Sequence, residues 1–493
     1  MSIDLPLGID RDAPEPMNAQ LVAQLRAAMR EGRLAAGERL PASRALAALL
    51  GVSRTVVTEA YEQLYAEGWL EGRHGSGTYV TDGVAADPAP IREQPRSLAG
   101  STRRPARQGE IDLRPGMAWV GALDTPAWRR AWRLAAGMPP QQRQEPHGVP
   151  GLRVALAEYI RRSRGVACPV DGLLITRGAT NGLDLLAATV LRPGDRVGVE
   201  EPGYRRARSV LAGRGAEIVS CPVDEHGLIV DGLPDDLRLV YATPSHQYPM
   251  GGVLPVPRRQ ALLAWARRTG ALIAEDDYDG EFRYDVAPLP ALYGLDPEVV
   301  VYLGTSAKIL TADMGVGWLV GRPDLVAAIA LRREELNDRT AVVPQQALRL
   351  FLERGDLDRH VRRMRGEYAR RREVVVRALD GLRLRGDTAG LHLVVDLPHA
   401  VAERVARDAA ERGVLVDPLE RHHAGPRSFG GLVVGYGSAG SPAELRNGCA
   451  IVRELAAAAL HEAAPTAESG QDAAGAAVEG PDAGRVEGTA SGS

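Results

Sequence analysis

The chain has almost no lysine. Lysine and arginine together number 60, and reading through the sequence leaves Lys308 alone against 59 arginines. A guanidinium stays protonated and cannot condense with a carbonyl, whereas an amine can form a Schiff base with an aldehyde. A chain that meets its need for positive charge with arginine therefore points to amine chemistry at the one place it keeps a lysine; an ordinary surface lysine is the competing reading. Cysteine is scarce too. Cys168, Cys221 and Cys449 are far apart and odd in number, which supports neither a disulfide framework nor a metal spacing. No run approaches the roughly 20 apolar residues of a membrane span. The first residues, MSIDLPLGIDRDAPEP, are acidic and lack the apolar core of a signal peptide, so the expected location is cytoplasmic. A net charge of -3 excludes an overall basic character, so any nucleic-acid surface must be local.

What is present falls into four zones. With 493 residues the chain exceeds one core. Residues 15–80 are dense in helical pattern and end in a Gly-rich hairpin. Residues 81–110 are rich in Pro, Ala, Gly and Arg and read as a flexible linker. Residues 111–462 alternate short apolar runs with amphipathic stretches, the pattern of an α/β domain. Residues 463–493 are acidic and low in complexity and are expected to be disordered.

In the first zone, Leu21, Leu25, Ala28 and Met29 recur at helical spacing. The stretch PASRALAALLGVSRTVVTEAYEQLYAEGWL then predicts two short helices around a turn at Gly51 and Val52. Leu46, Leu49 and Leu50 form one apolar face, and Ser53 caps the second helix, where Val56, Val57, Ala60, Tyr61 and Leu64 pack inward. The segment WLEGRHGSGTYV reads as a wing. This is helix-turn-helix geometry, whose second helix can enter a major groove of double-stranded DNA. Arg44, Ser53, Arg54, Thr55 and Thr58 near the helix starts, and Arg73, His74 and Ser76 at the wing tip, are the candidate DNA contacts. Residues 17–80 hold seven arginines and six glutamates, so affinity has to come from placement. A small helical oligomerisation module is the competing reading.

In the large zone, EVVVYLGTS is a β-branched run, so Lys308 sits just past the C-terminal end of a strand, where open α/β sheets bind ligands. The apolar segment 271–274 ends in Glu275, Asp276 and Asp277, with Tyr278 next. A carboxylate there could keep a pyridine nitrogen protonated, and Tyr278 could bond a ring hydroxyl. LLITRGATNGLDLL predicts a strand, a turn and a helix, with Gly178, Ala179 and Thr180 at a helix start suited to phosphate. Tyr204 of EEPGY could cover a ring.

The run from Gly32 to Val80, with LPxSR, LGVSRxxV and GxGTxV, resembles the winged-helix domain of the GntR family of bacterial regulators. The fragments GLRVALAEYIRRSRGV, ITRGATNGLDLL, RPGDRVGVEEPGY, TPSHQYPMG, EDDYDGEFRY and YLGTSAK resemble the type I aminotransferase fold, a mostly parallel sheet with helices on both faces. Joined by a linker, the two resemble MocR-type transcription regulators. The resemblance implies a pyridoxal 5'-phosphate cofactor on Lys308, with Asp276 at the pyridine nitrogen, Tyr278 at the ring hydroxyl and Tyr204 on the ring. Gly178, Ala179, Thr180 and Thr305 would surround the phosphate. It implies a homodimer and an effector that is an amino compound or a B6 vitamer, with no metal. Two positions depart from the family pattern. Gly315 stands where relatives carry a phosphate-binding arginine, and Val433 where many aminotransferases carry one for the substrate carboxylate; Arg206 and Arg427 are the candidate stand-ins. The expectation is a regulator, with transaminase half-reactions as a residual activity; the competing readings are an aminotransferase with a vestigial regulatory domain and a DNA-binding regulator whose aminotransferase-like domain has lost the cofactor.

Overall fold

The computed structural model describes residues 7–73, 77–82, 104–140, 145–425 and 427–463. His74, Ser76, most of the linker and all but the first residue of the expected tail lie outside them, as does the side chain of Arg73. The chain divides into two compact units, residues 1–104 and 105–493.

The first unit holds helices α1 (Met17–Arg30), α2 (Ser43–Leu50) and α3 (Arg54–Ala66), and a hairpin pairing Leu70–Arg73 with Gly77–Val80. Gly51, at φ +63, ends α2 in the left-handed conformation that glycine adopts without strain. The Ser53 hydroxyl then accepts the Val56 N–H and starts α3. Leu21, Leu25, Met29, Leu46, Val57, Ala60 and Leu64 close one core with Leu70 and Val80 of the hairpin. The expected apolar face of α2 is narrower than its sequence suggests. Leu46 is buried, but Leu49 is 69% exposed, because an eight-residue helix against one neighbour hides only one stripe. Residues 7–10 were silent in the sequence. Leu7 and Ile9 pack on this core, and the Gly8 and Asp10 N–H groups donate to Gln24 and Gln20 at 2.9 and 3.0 Å.

The second unit is built on an eight-stranded sheet. Its spatial order is Leu173–Thr176, Gly317–Val320, Val300–Thr305, Leu272–Asp276, Leu239–Ala242, Arg196–Glu201, Glu217–Asp224 and Gly227–Leu228. The five strands from Val300–Thr305 to Glu217–Asp224 run parallel; Gly317–Val320 is antiparallel to both neighbours. Successive side chains face opposite sides, so one strand feeds two cores. Val300 and Tyr302 join the larger cluster, while Val301 and Leu303 join the other; Val240 and Leu239 divide in the same way. Helices cover both faces, as the sequence pattern requires of a parallel sheet. A smaller sheet, ordered Leu384–Arg385, His392–Asp396, Gly431–Gly435 and Asp417–Pro418, forms a C-terminal lobe with helices Asp356–Ala378, His399–Glu411 and Pro442–Ala463. Ile111–Asp112 pairs in parallel with Val414–Leu415, which ties the start of this unit to that lobe. Among the described residues, no helix is long and apolar enough to cross a membrane.

Candidate functional site

The parallel strands end on one edge of the sheet, and the sequence-predicted groups collect there. Strand Leu272–Asp276 and the residue after it carry three consecutive carboxylates, all buried, and the alternation of the strand gives each a separate task. Glu275 accepts the Leu292 and Tyr293 N–H groups at 2.7 and 2.8 Å. Asp277 makes a two-pronged ion pair with Arg164, at 2.5 and 2.9 Å, and accepts the Tyr302 hydroxyl at 2.9 Å. Asp276, between them, accepts the Tyr241 hydroxyl on Oδ2 at 2.6 Å. Its Oδ1 is buried and has no hydrogen-bond partner. Burial pushes the Asp276 carboxyl up to about 7, against the pull of the Tyr241 bond; Asp277 adds to the rise and Lys308 opposes it. A buried acceptor without a donor costs about 1–3 kcal/mol, which a ring N–H placed against it would recover.

Lys308 lies in the turn after strand Val300–Thr305 and is half-buried. Its amine donates to the Gly116 carbonyl at 2.6 Å. Gly178 precedes helix Ala179–Val190 with φ +110 and ψ 170, a conformation open to glycine alone. Its own backbone leaves no room at Gly317, where an added Cβ would stand 2.5 Å from the Gly178 Cα. No side chain caps this helix, so its first N–H groups, those of Ala179 and Thr180 among them, are free of an N-cap bond, and Thr305 approaches Gly178 from the strand side.

Tyr204 stacks on Tyr241 with ring centroids 6.5 Å apart and planes 22° apart, and its hydroxyl lies near Thr180 and Arg206, which hold its pKa down against the larger upward push of burial. Tyr278 points its hydroxyl at His246, 2.9 Å from Nδ1 and 3.0 Å from the backbone carbonyl. Asp276, Tyr278, Tyr204, Thr180 and Lys308 are thus drawn together, with Gly178, Ala179 and Thr305 at the same strand edge. Arg206 is exposed at the start of helix Arg205–Gly213. Arg427 pairs with Glu403 at 3.5 Å, both more than half exposed. Gly315 has φ +57 and open space where a Cβ would go, and Val433 is fully buried beside Val394, Val223 and Met250.

Several site residues escaped the sequence reading. Tyr241 is the partner of Asp276, and it comes from the neighbouring strand, in register with Ala274. Tyr248 meets Tyr204, Tyr278, His392 and His422 edge to face, with centroids 5.2–5.9 Å apart. Arg208 is the arginine that the PGYRRAR turn buries. It pairs with Glu201 at 3.1 Å and donates to the Gly203 and His422 carbonyls, which fixes the turn carrying Tyr204. The signal for Tyr248 and Tyr241 was their place in YATPSHQYPMGG, a strand end rich in aromatic and polar groups.

On the first unit, Arg44, Ser53, Arg54 and Thr55 are exposed around the start of α3, and Thr58 is half-buried with its hydroxyl on the Arg54 carbonyl at 3.0 Å. The Arg54 Nε reaches the Ser43 hydroxyl at 3.3 Å, which aligns the starts of α2 and α3.

An unpartnered buried carboxylate oxygen, an amine and an uncapped helix start are what a pyridoxal phosphate ring nitrogen, aldehyde and phosphate respectively require, so the residues present fit that group. Comparisons with known proteins agree with both units. Residues 17–80 match the family of bacterial regulatory proteins of the gntR family, and residues 120–452 match aminotransferase class I and II. The chain is similar to the pyridoxine biosynthesis transcriptional regulator PdxR of Corynebacterium glutamicum, at 37% identity over 89% of this chain and 96% of that protein. It is similar to the probable rhizopine catabolism regulatory protein MocR of Rhizobium meliloti, at 36% identity over 90% and 94%. Among solved structures, the kynurenine aminotransferase of Pyrococcus horikoshii superposes with a TM-score of 0.66 at 24% identity, over 71% of this chain and 91% of that one.

Proposed function

The chain belongs to the MocR-type transcriptional regulators, with a GntR winged helix that binds DNA ahead of an aminotransferase-type body, and on that premise we propose that the body holds pyridoxal 5'-phosphate on Lys308. The observation that carries this reading is the buried Asp276 Oδ1, which has no hydrogen-bond partner and belongs to a carboxyl that feels the charge of Lys308. When bound, the cofactor supplies an aldehyde and an electron-withdrawing ring. The residues of this chain do the rest. Lys308 offers its amine, Asp276 accepts the ring N–H, and Tyr278 turns its hydroxyl to the ring oxygen. Tyr204 covers one face, and Gly178, Ala179, Thr180 and Thr305 surround the phosphate.

In this reading the effector is a B6 vitamer. Gly315 and Val433 support it: the first removes a charge-assisted phosphate contact of roughly 1.5–3 kcal/mol, and the second leaves no cation for a substrate carboxylate in that strand. A cofactor held with less grip exchanges with the free pool, and a PdxR relative is named for pyridoxine biosynthesis. Arg206 beside Tyr204 supports the second reading, an amino compound whose carboxylate it would meet. Either ligand acts by binding one of two arrangements of a cytoplasmic homodimer better than the other, which shifts how the DNA-binding units are presented.

The test is an absorption titration of the full-length protein with pyridoxal phosphate, for wild type, Lys308→Ala and Lys308→Arg. A visible band in the wild type that both variants lack supports the reading, and identical spectra overturn it. Duplexes selected by the wild-type protein from a random library then report whether the vitamer changes DNA affinity.

A further inference from the structure

Beside Tyr278 lies a buried pair that the site as described does not use. His246 and Asp279 are each 2% exposed, and His246 Nδ1 stands 3.0 Å from Asp279 Oδ2 and 2.9 Å from the Tyr278 oxygen. Gly390, at φ +70, seals them: a Cβ there would lie 2.0 Å from the His246 Cε1 and 2.7 Å from Asp279 Oδ2. The His392 ring is 5.0 Å away, with its Nε2 held by the Pro249 carbonyl at 3.0 Å. Ligand-type atoms of His246, Asp279 and His392 lie within 4.8 Å of one another, so a metal site has to be weighed. His246 Nδ1 already spans two partners. Its Nε2, which has none, faces Gly251, where a Cβ would stand at 3.3 Å. Packed walls and a committed nitrogen favour a hydrogen-bond relay over a cation.

One proton sits on Nδ1, because a buried carboxylate accepts from it. The same N–H reaches the Tyr278 oxygen, whose own proton goes to the His246 carbonyl at 3.0 Å and must turn from it to reach a ring oxygen; donation into the Tyr278 oxygen strengthens the hydroxyl as a donor. We propose that Asp279 and His246 are positioning residues that hold the Nδ1 proton between the carboxylate and Tyr278, so that the Tyr278 hydroxyl serves as donor to the ring oxygen of pyridoxal phosphate. The inference rests on the Lys308 reading above. It has a consequence that packing alone would not. An amide in place of Asp279 is neutral and presents an N–H as well as an oxygen; in the orientation that turns its N–H to Nδ1, the ring proton moves to Nε2 and Nδ1 competes for the Tyr278 proton. The charged and titratable groups facing Tyr278 are His246, Asp279, Tyr248, Asp276 and Glu200, and Asp279 is the one replaced in that substitution.

The experiment follows the pH midpoint of the Lys308-dependent visible band in full-length protein loaded with pyridoxal phosphate. Asp279→Asn and His246→Leu should raise the midpoint by about one pH unit, since the ionised ring oxygen loses its donor. His246→Asn places an amide N–H near the Nδ1 position and should restore the midpoint toward wild type. In a Tyr278→Phe background, Asp279→Asn should add no further shift. The proposal is overturned if Asp279→Asn and His246→Leu titrate with the wild type, or if Asp279→Asn shifts the midpoint equally without the Tyr278 hydroxyl. Asp279→Asn is isosteric, so the cycle with Tyr278→Phe carries the test even if His246→Leu fails to fold. A wild type without any Lys308-dependent band would instead remove the site reading on which the relay depends.

Discussion

The start of α3 and the strand edge at Asp276 solve opposite problems. Around α3, Arg44, Ser53, Arg54 and Thr55 face solvent, and few bonds tie one to another. At the strand edge, Glu275, Asp276, Asp277, Tyr278 and His246 are buried or nearly so, and each is committed to a named partner. Exposed groups act almost independently, and changing one costs little. Buried site groups are coupled, so removing one strands another. The contrast follows from solvent: water satisfies whatever an exposed arginine leaves, whereas nothing satisfies a stranded carboxylate in a core.

The sharpest way to break the comparison is Arg164→Met. It leaves Asp277 buried and charged, and removes donors from Ser245 and the Gly280 carbonyl. The expected cost is about 3–5 kcal/mol in denaturant unfolding, with loss of cofactor binding. A cost below 1 kcal/mol would show that the strand edge is as forgiving as α3. Next comes Asp276→Asn. Burial raises the folded-state carboxyl to about 7, above its unfolded value, so the fold holds a proton that the unfolded chain releases. Stability from this group therefore falls as pH rises from about 4 to about 7, by at most about 1.4 kcal/mol per pH unit. Without cofactor, the asparagine variant should melt higher than wild type at pH 8 and equal to it near pH 4, yet bind pyridoxal phosphate far more weakly. Melting curves across that range check the sign. The smallest stability effect is expected for Arg54→Ala, within about 0.5 kcal/mol. Its signature is instead weaker DNA binding and a salt dependence reduced by about one phosphate contact. Unchanged DNA affinity would remove α3 from the interface.

The same division explains what the sequence made legible. The α3 surface depends on local periodicity, so Ser53, Val57, Ala60, Tyr61 and Leu64 could be placed by spacing, whereas Leu49 is exposed and Val56 only half-buried where both were expected on a covered face. Lys308 and the three carboxylates were legible as strand ends. Their partners were not. That Tyr241 meets Asp276 depends on the register between two strands, and that Gly390 closes on His246 depends on a loop more than 100 residues away. No pattern along the chain encodes which of three adjacent carboxylates is left with a spare oxygen; that is decided by Arg164, Tyr302 and the turn at Leu292.

The bond from Lys308 to the Gly116 carbonyl has a mechanical side. Gly116 follows the strand Ile111–Asp112, which is sewn to Val414–Leu415, and it stands a dozen residues downstream of the boundary between the two units. Any molecule that claims the lysine nitrogen must loosen that stitch. The amine that would hold a ligand is therefore already spoken for by the segment that opens the second unit.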